Sequence, residues 1–125
     1  METNDGKPLA LVIEDDTLLG GVFVTALNSV GFATEHIADG AAAQTRLTGL
    51  APDIIVLDLH LPHVSGEDLL KQVRADPRLA NLPVIVATAD ALMAEYLAVK
   101  PDLVLLKPIS PIQLRELAKR LFPGG

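Results

Sequence analysis

The sequence predicts an α/β fold with a parallel sheet and helices on both of its faces. Residues 9–13, 54–57 and 103–106 are short runs that are apolar at every position, which is typical of buried parallel strands. Strand-like and helix-like segments alternate five times, as in consecutive βα units with right-handed crossovers. No apolar stretch approaches the ~20 residues that span a bilayer, and a chain of 125 residues suits one domain.

The first helix follows the run at 9–13. Thr17 is its expected N-cap, and Gly31 is the expected C′ residue at its end. Gly20 and Gly21 lie inside this helix and predict a local weakness of about 1 kcal/mol per glycine relative to alanine. Its apolar side chains recur at helical spacing, and we expect them to be buried: Leu18, Leu19, Val22, Phe23, Ala26, Leu27 and Val30.

The middle of the chain contains two further strands and two helices. A weaker strand is predicted at 32–37, and Asp39 is the expected N-cap of the second helix. The third strand is predicted at 52–57. Ser65 opens the third helix, which an Asp-Pro pair at 76–77 ends.

The last two strands are predicted at 83–87 and 103–106. Between them, Asp90 is expected to cap a short helix at 91–99, which a following Lys-Pro pair ends. Ser110 begins the last helix, with proline at N1 and glutamine at N3. We expect that helix to bury Ile112, Leu114, Leu117, Ala118 and Leu121.

Composition excludes several classes of function. Ten basic residues against sixteen acidic ones give a net charge of −6, which does not suit direct binding of nucleic acid. The chain has no cysteine, so disulfides, thiolate catalysis and cysteine zinc sites are excluded. The first residues are polar and acidic, unlike a signal or transit peptide, and we expect a cytoplasmic protein without membrane contact.

Charged residues follow three of the apolar strands. Glu14 and Asp15 come after the first, Asp58 after the third and Lys107 after the fifth. The carboxyl ends of parallel strands meet at one edge of the sheet, so these groups are expected to lie together. Clustered carboxylates repel one another unless a cation is present, and hard oxygen ligands favour Mg²⁺. With the hydroxyl of Thr88 after the fourth strand, this set predicts phosphoryl transfer to Asp58.

Four motifs, each at the end of a strand and in this order, resemble those of the receiver domain of two-component response regulators. The matching segments are Glu14-Asp15-Asp16, Asp58-Leu59-His60-Leu61-Pro62 with Gly66, Thr88-Ala89 and Lys107-Pro108. The resemblance covers about residues 8–121. It implies the flavodoxin-like, doubly wound sheet order 2-1-3-4-5. We therefore expect residues 1–125 to form a single receiver domain with a short polar tail at 1–7.

The resemblance also implies a role for each matching residue. Asp58 would take a phosphoryl group from the phosphohistidine of a histidine kinase or phosphotransfer protein. Thr88 and Lys107 would bind phosphoryl oxygens, and Ala89 would keep access open. The Mg²⁺ ligands would be the side chains of Asp15 and Asp58, the backbone carbonyl of His60 and, through water, Glu14.

Three further implications concern conformation and turnover. The peptide bond between Lys107 and Pro108 is often cis in such domains. His60 and Asp90 lie two positions beyond Asp58 and Thr88, where the residue choice is expected to tune hydrolysis of the aspartyl phosphate. Asp16 is interpreted as a charge at the start of the first helix rather than as a ligand.

Two departures from the family pattern concern the signalling face. Val104 lies three positions before the lysine, where the family usually has an aromatic residue that swings inward on activation. Lys107 follows Thr88 by 19 positions, a few fewer than usual, which shortens the fourth helix and the loop after it. We hypothesise that the phosphorylation chemistry is intact and that the usual switch is missing or replaced.

The leading interpretation is a signalling domain rather than an enzyme, with slow self-dephosphorylation and an output through contact with a downstream protein. One alternative is a receiver-like scaffold that is not phosphorylated. Another is a Mg²⁺-dependent phosphatase that uses Asp58, although that pattern needs an acid at position 60, which is histidine. A flavin-binding protein of similar topology needs a phosphate loop after the first strand, where this chain has acids.

Overall fold

A five-stranded parallel sheet with helices on both faces forms the centre of the molecule, which a computed structural model describes over residues 6–123. The strands are β1 (Leu9–Ile13), β2 (Ala33–Ile37), β3 (Ile54–Leu57), β4 (Val84–Thr88) and β5 (Leu103–Leu106). The helices are α1 (Thr17–Asn28), α2 (Gly40–Gly49), α3 (Gly66–Ala75), α4 (Ala91–Glu95) and α5 (Pro111–Leu121). The sheet order is β2-β1-β3-β4-β5, which confirms the predicted fold. Residues 1–5 of the expected tail lie outside the described part.

The central strands β1 and β3 are apolar at every position, and β4 is apolar up to Thr88 at its end, because both faces of the sheet are covered. In β1, Leu11 and Ile13 pack against α2 and α3, whereas Ala10 and Val12 pack against α1 and α5. β3 and β4 alternate in the same way, so two hydrophobic layers enclose the sheet. Among residues 6–123, no helix is long and apolar enough to cross a bilayer.

Most helix starts agree with the sequence. Asp39, Ser65, Asp90 and Ser110 are N-caps, and each side chain accepts a hydrogen bond from the backbone N–H three residues further on. The prediction for α1 was wrong by one residue. Asp16 is its N-cap and accepts from the N–H of Leu19 at 3.1 Å, so Thr17 is the first helical residue.

Two helices are shorter than predicted. α1 ends at Asn28 with Ser29 as C-cap, and Gly31 lies beyond it in the following turn, with φ +103°. α4 ends at Glu95 instead of residue 99, because the chain turns at Tyr96 and buries Leu97.

Three apolar residues predicted to lie in the core are on the surface instead. Leu18 is 84% exposed, Ile112 is 57% exposed and Val22 is 41% exposed. The apolar arcs of α1 and α5 are wider than the stripes that face the sheet, since Phe23, Ala26 and Leu27 already fill the contact of α1. Helical spacing identified both faces but did not tell which part of each arc is buried.

Candidate functional site

Strand register brings the predicted acidic residues to the same level of the sheet. Ile13 of β1 is paired with Leu57 of β3, so Glu14 and Asp58 each follow directly after the paired residues. The backbone N–H of Asp58 also donates to the carbonyl of Ile13 at 2.9 Å. On the other side, Thr88 is paired with the last residue of β5, which places Lys107 next in the chain.

Asp58 is held by groups from two loops. It is 5% exposed. Its Oδ1 accepts a hydrogen bond from the backbone N–H of His60 at 3.2 Å, and its Oδ2 accepts from Nζ of Lys107 at 3.3 Å. Gly66 packs so closely on this segment that a Cβ there would lie 2.1 Å from the carbonyl oxygen of Asp58. The carboxylate is therefore fixed in orientation.

Three carboxylates form a candidate metal centre. Glu14, Asp15 and Asp58 each offer an oxygen, and these oxygens lie within 4.8 Å of one another. In the part of the chain that the structure describes, this is the one cluster of three such residues. Glu14 and Asp58 are buried, whereas Asp15 is open to solvent. An all-oxygen set that is partly open to water fits Mg²⁺, which keeps several waters when it binds to protein carboxylates.

Burial makes the carboxyl group of Glu14 a weaker acid than usual. The side chain is 1% exposed, and this burial, together with the charge of Asp58, raises its pKa from 4.5 to about 7. Contact with Lys107 and the hydrogen bond from the N–H of Asp16, at 3.2 Å, oppose the rise without cancelling it. The other oxygen, Oε1, lies 2.9 Å from Nζ of Lys107 but makes no aligned hydrogen bond, so this contact is an ion pair.

Lys107 bridges the two buried carboxylates. Burial alone would lower its pKa, but contact with Glu14 and the charge of Asp58 outweigh burial and raise the pKa. The lysine is therefore firmly cationic. The peptide bond to Pro108 is cis, as the resemblance implied.

Thr88 offers a free hydroxyl hydrogen. The residue is fully buried at the end of β4, and its Oγ accepts from the backbone N–H of Asp90 at 3.0 Å. Within residues 6–123, no acceptor is hydrogen-bonded to the hydrogen of that hydroxyl. Asp90 also caps α4, and its Oδ2 pairs with Nε2 of His60 at 3.2 Å. Ala89 is exposed between them.

Val104 lies on the surface of β5 and is 39% exposed. It lines a shallow hollow with Ala91, Ala94 and Glu95 of α4 and with Leu106 of β5. Tyr96, the nearest aromatic residue in sequence, is 75% exposed at the end of α4. The hypothesis of a missing or replaced switch remains a prediction.

Sequence reasoning missed one supporting residue, His36 of β2. Its Nε2 donates to the backbone carbonyl of Glu14 at 2.8 Å. The imidazole occupies the space beside Gly20, where a Cβ would lie 2.4 Å from the ring. The pair of glycines in α1 was the available signal, since a glycine inside a helix often marks a close approach.

Comparison with known proteins agrees with this geometry. A family model described as the response regulator receiver domain matches residues 10–119. A receiver domain of a sensor histidine kinase from Pseudomonas aeruginosa PAO1, solved with a magnesium ion coordinated in its active-site cleft, is 26% identical with a TM-score of 0.83 and covers 93% of this chain and 98% of that one. A receiver domain from Syntrophus aciditrophicus is 28% identical with a TM-score of 0.85, over 94% and 91% of the two chains.

Curated relatives include the DNA-binding response regulator MtrA of Mycobacterium tuberculosis, 34% identical over 83% of this chain and 46% of MtrA. The phosphate regulon transcriptional regulatory protein PhoB of Rhizobium meliloti is 33% identical over 92% of this chain and 52% of PhoB. The chain thus spans about half the length of these relatives. With its sheet order and its acidic cluster at the strand ends, the chain belongs to the response regulator receiver domain family.

Proposed function

We propose that this chain accepts a phosphoryl group on Asp58 from the phosphohistidine of a histidine kinase or phosphotransfer protein, in the cytoplasm. The observation that carries the proposal is the set of groups around that carboxylate. Two further carboxylates lie within 4.8 Å of it, and a lysine ammonium lies 3.3 Å from its Oδ2. We propose that the output is a change in protein contact, because a phosphoryl group on Asp58 adds negative charge at the loops that follow the strands.

The chain's own residues supply positioning and charge. The Mg²⁺ ligands would be Asp15, Asp58, the carbonyl of His60 and, through water, Glu14. Bound there, the metal supplies positive charge that neutralises phosphoryl oxygens. Lys107 would bind one further phosphoryl oxygen, and the free hydroxyl hydrogen of Thr88 would donate to another.

The accepting chain does not need to supply a proton for the transfer. An oxygen of Asp58 attacks phosphorus, and the P–O bond forms as the P–N bond breaks. The electron pair of the P–N bond stays on the imidazole nitrogen of the donor. The N–H of His60, which donates to Oδ1, keeps the carboxylate oriented for this attack. Slow hydrolysis by water would reverse the modification.

The proposed partners are proteins. Leu18 and Val22 of α1 are exposed apolar side chains that line a shallow hollow with Pro111 of α5, and Leu18 lies three residues after Asp15 in the chain. MtrA is named as a DNA-binding regulator, but this chain matches about half of it. We propose that the matched half is the signal-receiving part and does not contact DNA, which a net charge of −6 supports.

Intact-mass measurement tests the proposal. The protein is incubated with phosphoramidate and Mg²⁺, and a single added phosphoryl group is expected. The adduct should disappear in EDTA and in Asp58→Asn, and it should persist in Asp68→Asn, which removes an exposed carboxylate from α3. No adduct on the wild type would support the scaffold alternative. Rapid Asp58-dependent hydrolysis of a phosphomonoester would support the phosphatase instead.

A further inference from the structure

The loop after Asp58 contains a strained turn. The backbone N–H of Val64 donates to the carbonyl of Pro62 at 2.9 Å, which closes a three-residue γ-turn. His63 is at its centre with φ +72°, in the left-handed region that a residue with a Cβ seldom adopts. Such γ-turns with positive φ are rare and strained, and strain of this kind persists only where the surrounding structure holds it.

The start of α2 holds this turn from outside. The N–H of Gly40 donates to the carbonyl of Pro62 at 3.0 Å. A Cβ on Gly40 would lie 1.8 Å from the carbonyl oxygen of Val64, so only glycine permits this approach. Next to it, Oδ1 of Asp39 pairs with Nδ1 of His63, while Oδ2 of the same carboxylate caps α2. We call Asp39, Gly40 and His63 the loop clamp.

The other end of the loop is fixed to the acidic cluster. The N–H of Gly66 donates to the carbonyl of Leu59 at 2.9 Å, and the N–H of His60 donates to Oδ1 of Asp58. His60 therefore lies between the clamped turn and the carboxylate that the loop orients. If the turn at 62–64 adopted an unstrained conformation, the backbone of the same loop at His60 would shift with it.

We propose that the loop clamp is a positioning device for Mg²⁺ binding, in which Asp39 and His63 act through the backbone of His60 and the carboxylate of Asp58. The inference rests on the Mg²⁺ site of the proposed function. Neither clamp side chain touches the acidic cluster, so both are positioning residues. Groups that orient metal ligands without binding the metal commonly change metal affinity by about 10- to 100-fold when they are replaced.

Two substitutions at one position separate the clamp from the helix cap. Asp39→Ser keeps a good N-cap but is too short to reach His63. Asp39→Asn keeps the cap through its one amide oxygen and places its Nδ2–H beside Nδ1 of His63, to which it can donate when that nitrogen carries no proton, and it makes the same change in net charge. The difference between the two variants therefore reports on the clamp alone.

The measurement is Mg²⁺ binding by calorimetry on the unphosphorylated chain of residues 1–125, with stability measured by urea unfolding in EDTA. We expect Asp39→Ser to bind Mg²⁺ about 10-fold more weakly than Asp39→Asn, at similar unfolding midpoints. NMR shifts of the amides at positions 59 and 60 should move in the serine variant and not in the asparagine variant.

Equal Mg²⁺ affinity in the two variants overturns the inference, and so does a loss of stability without a change in affinity. A wild-type protein that binds no Mg²⁺ would overturn the proposed function together with the inference. A wild type that binds Mg²⁺ and accepts phosphoryl on Asp58, with identical behaviour of both variants, would remove only the clamp.

Discussion

Glu14→Gln is expected to make the metal-free protein more stable at neutral pH. The wild-type carboxyl is buried, and burial raises its pKa from 4.5 to about 7. A folded pKa above the unfolded value means that the group favours folding below pH 4.5 and loses that contribution as the pH rises towards 7. Glutamine does not ionise, so the variant does not lose this contribution to folding stability as the pH rises.

The magnitude follows from the two pKa values. Each unit of difference corresponds to about 1.4 kcal/mol, so full ionisation of Glu14 destabilises the folded state by about 3 kcal/mol. Because part of the loss has already occurred at about pH 5, the stability difference between Glu14→Gln and the wild type should grow by about 2–3 kcal/mol between about pH 5 and about pH 8.

Urea unfolding in EDTA at the two pH values measures this difference. Carboxyl groups that do not interact with Glu14 contribute equally to both proteins and cancel in the comparison. Glu116→Gln, which removes an exposed carboxylate from α5, controls for the loss of one negative charge. A difference between Glu14→Gln and the wild type that stays constant with pH, or that shrinks as the pH rises, would refute the electrostatic account of the buried carboxyl.

Four further outcomes are expected. Gly20→Ala should destabilise the protein by about 1–3 kcal/mol, since its Cβ would lie 2.4 Å from the ring of His36. Gly21→Ala, where a Cβ meets nothing within 4 Å, should stabilise it by about 1 kcal/mol in the same urea assay, and equal effects would contradict the packing. Lys107→Gln should reduce the rate of phosphoryl transfer from phosphoramidate, measured by intact mass, and an unchanged rate would count against its role. In structures with and without a phosphoryl mimic, Tyr96 should stay exposed; its movement inward would disprove a missing switch.

Strand ends and helix caps could be predicted because their signals are local. A strand that is apolar at every position must be buried on both faces of the sheet. An Asp or Ser before a helix accepts a hydrogen bond from a free backbone N–H in the first turn of that helix. The carboxyl edge of the sheet then brought Glu14, Asp58 and Lys107 together from segments more than 40 residues apart. A parallel sheet brings the ends of these strands together although the strands are far apart in the sequence.

Contacts between distant elements had weaker signals. The glycines of α1 indicated a close approach without identifying His36 as the neighbour, and nothing local in the sequence shows that Gly40 must approach the carbonyl of Val64. The left-handed conformation of His63 was also hidden, because positive φ is uncommon at any residue other than glycine, and a single histidine does not indicate it. The exposed face of α1 was misjudged for a related reason: periodicity defines an apolar arc, and only the packing partner decides which part is covered.

The acidic cluster carries a cost that follows from the same geometry. Two carboxylates are buried at the strand ends and a third is exposed beside them, while a single ammonium, that of Lys107, lies within 4 Å of the buried pair among the described residues. A domain selected only for stability would replace Glu14 with a neutral side chain, because the buried charge is unfavourable without a bound cation. Retaining it makes sense where the folded protein gains a cation, since ionised Glu14 then favours binding of the divalent ion. Buried groups that weaken a fold and share one crevice are therefore a physical sign of function, independent of the family to which the chain belongs.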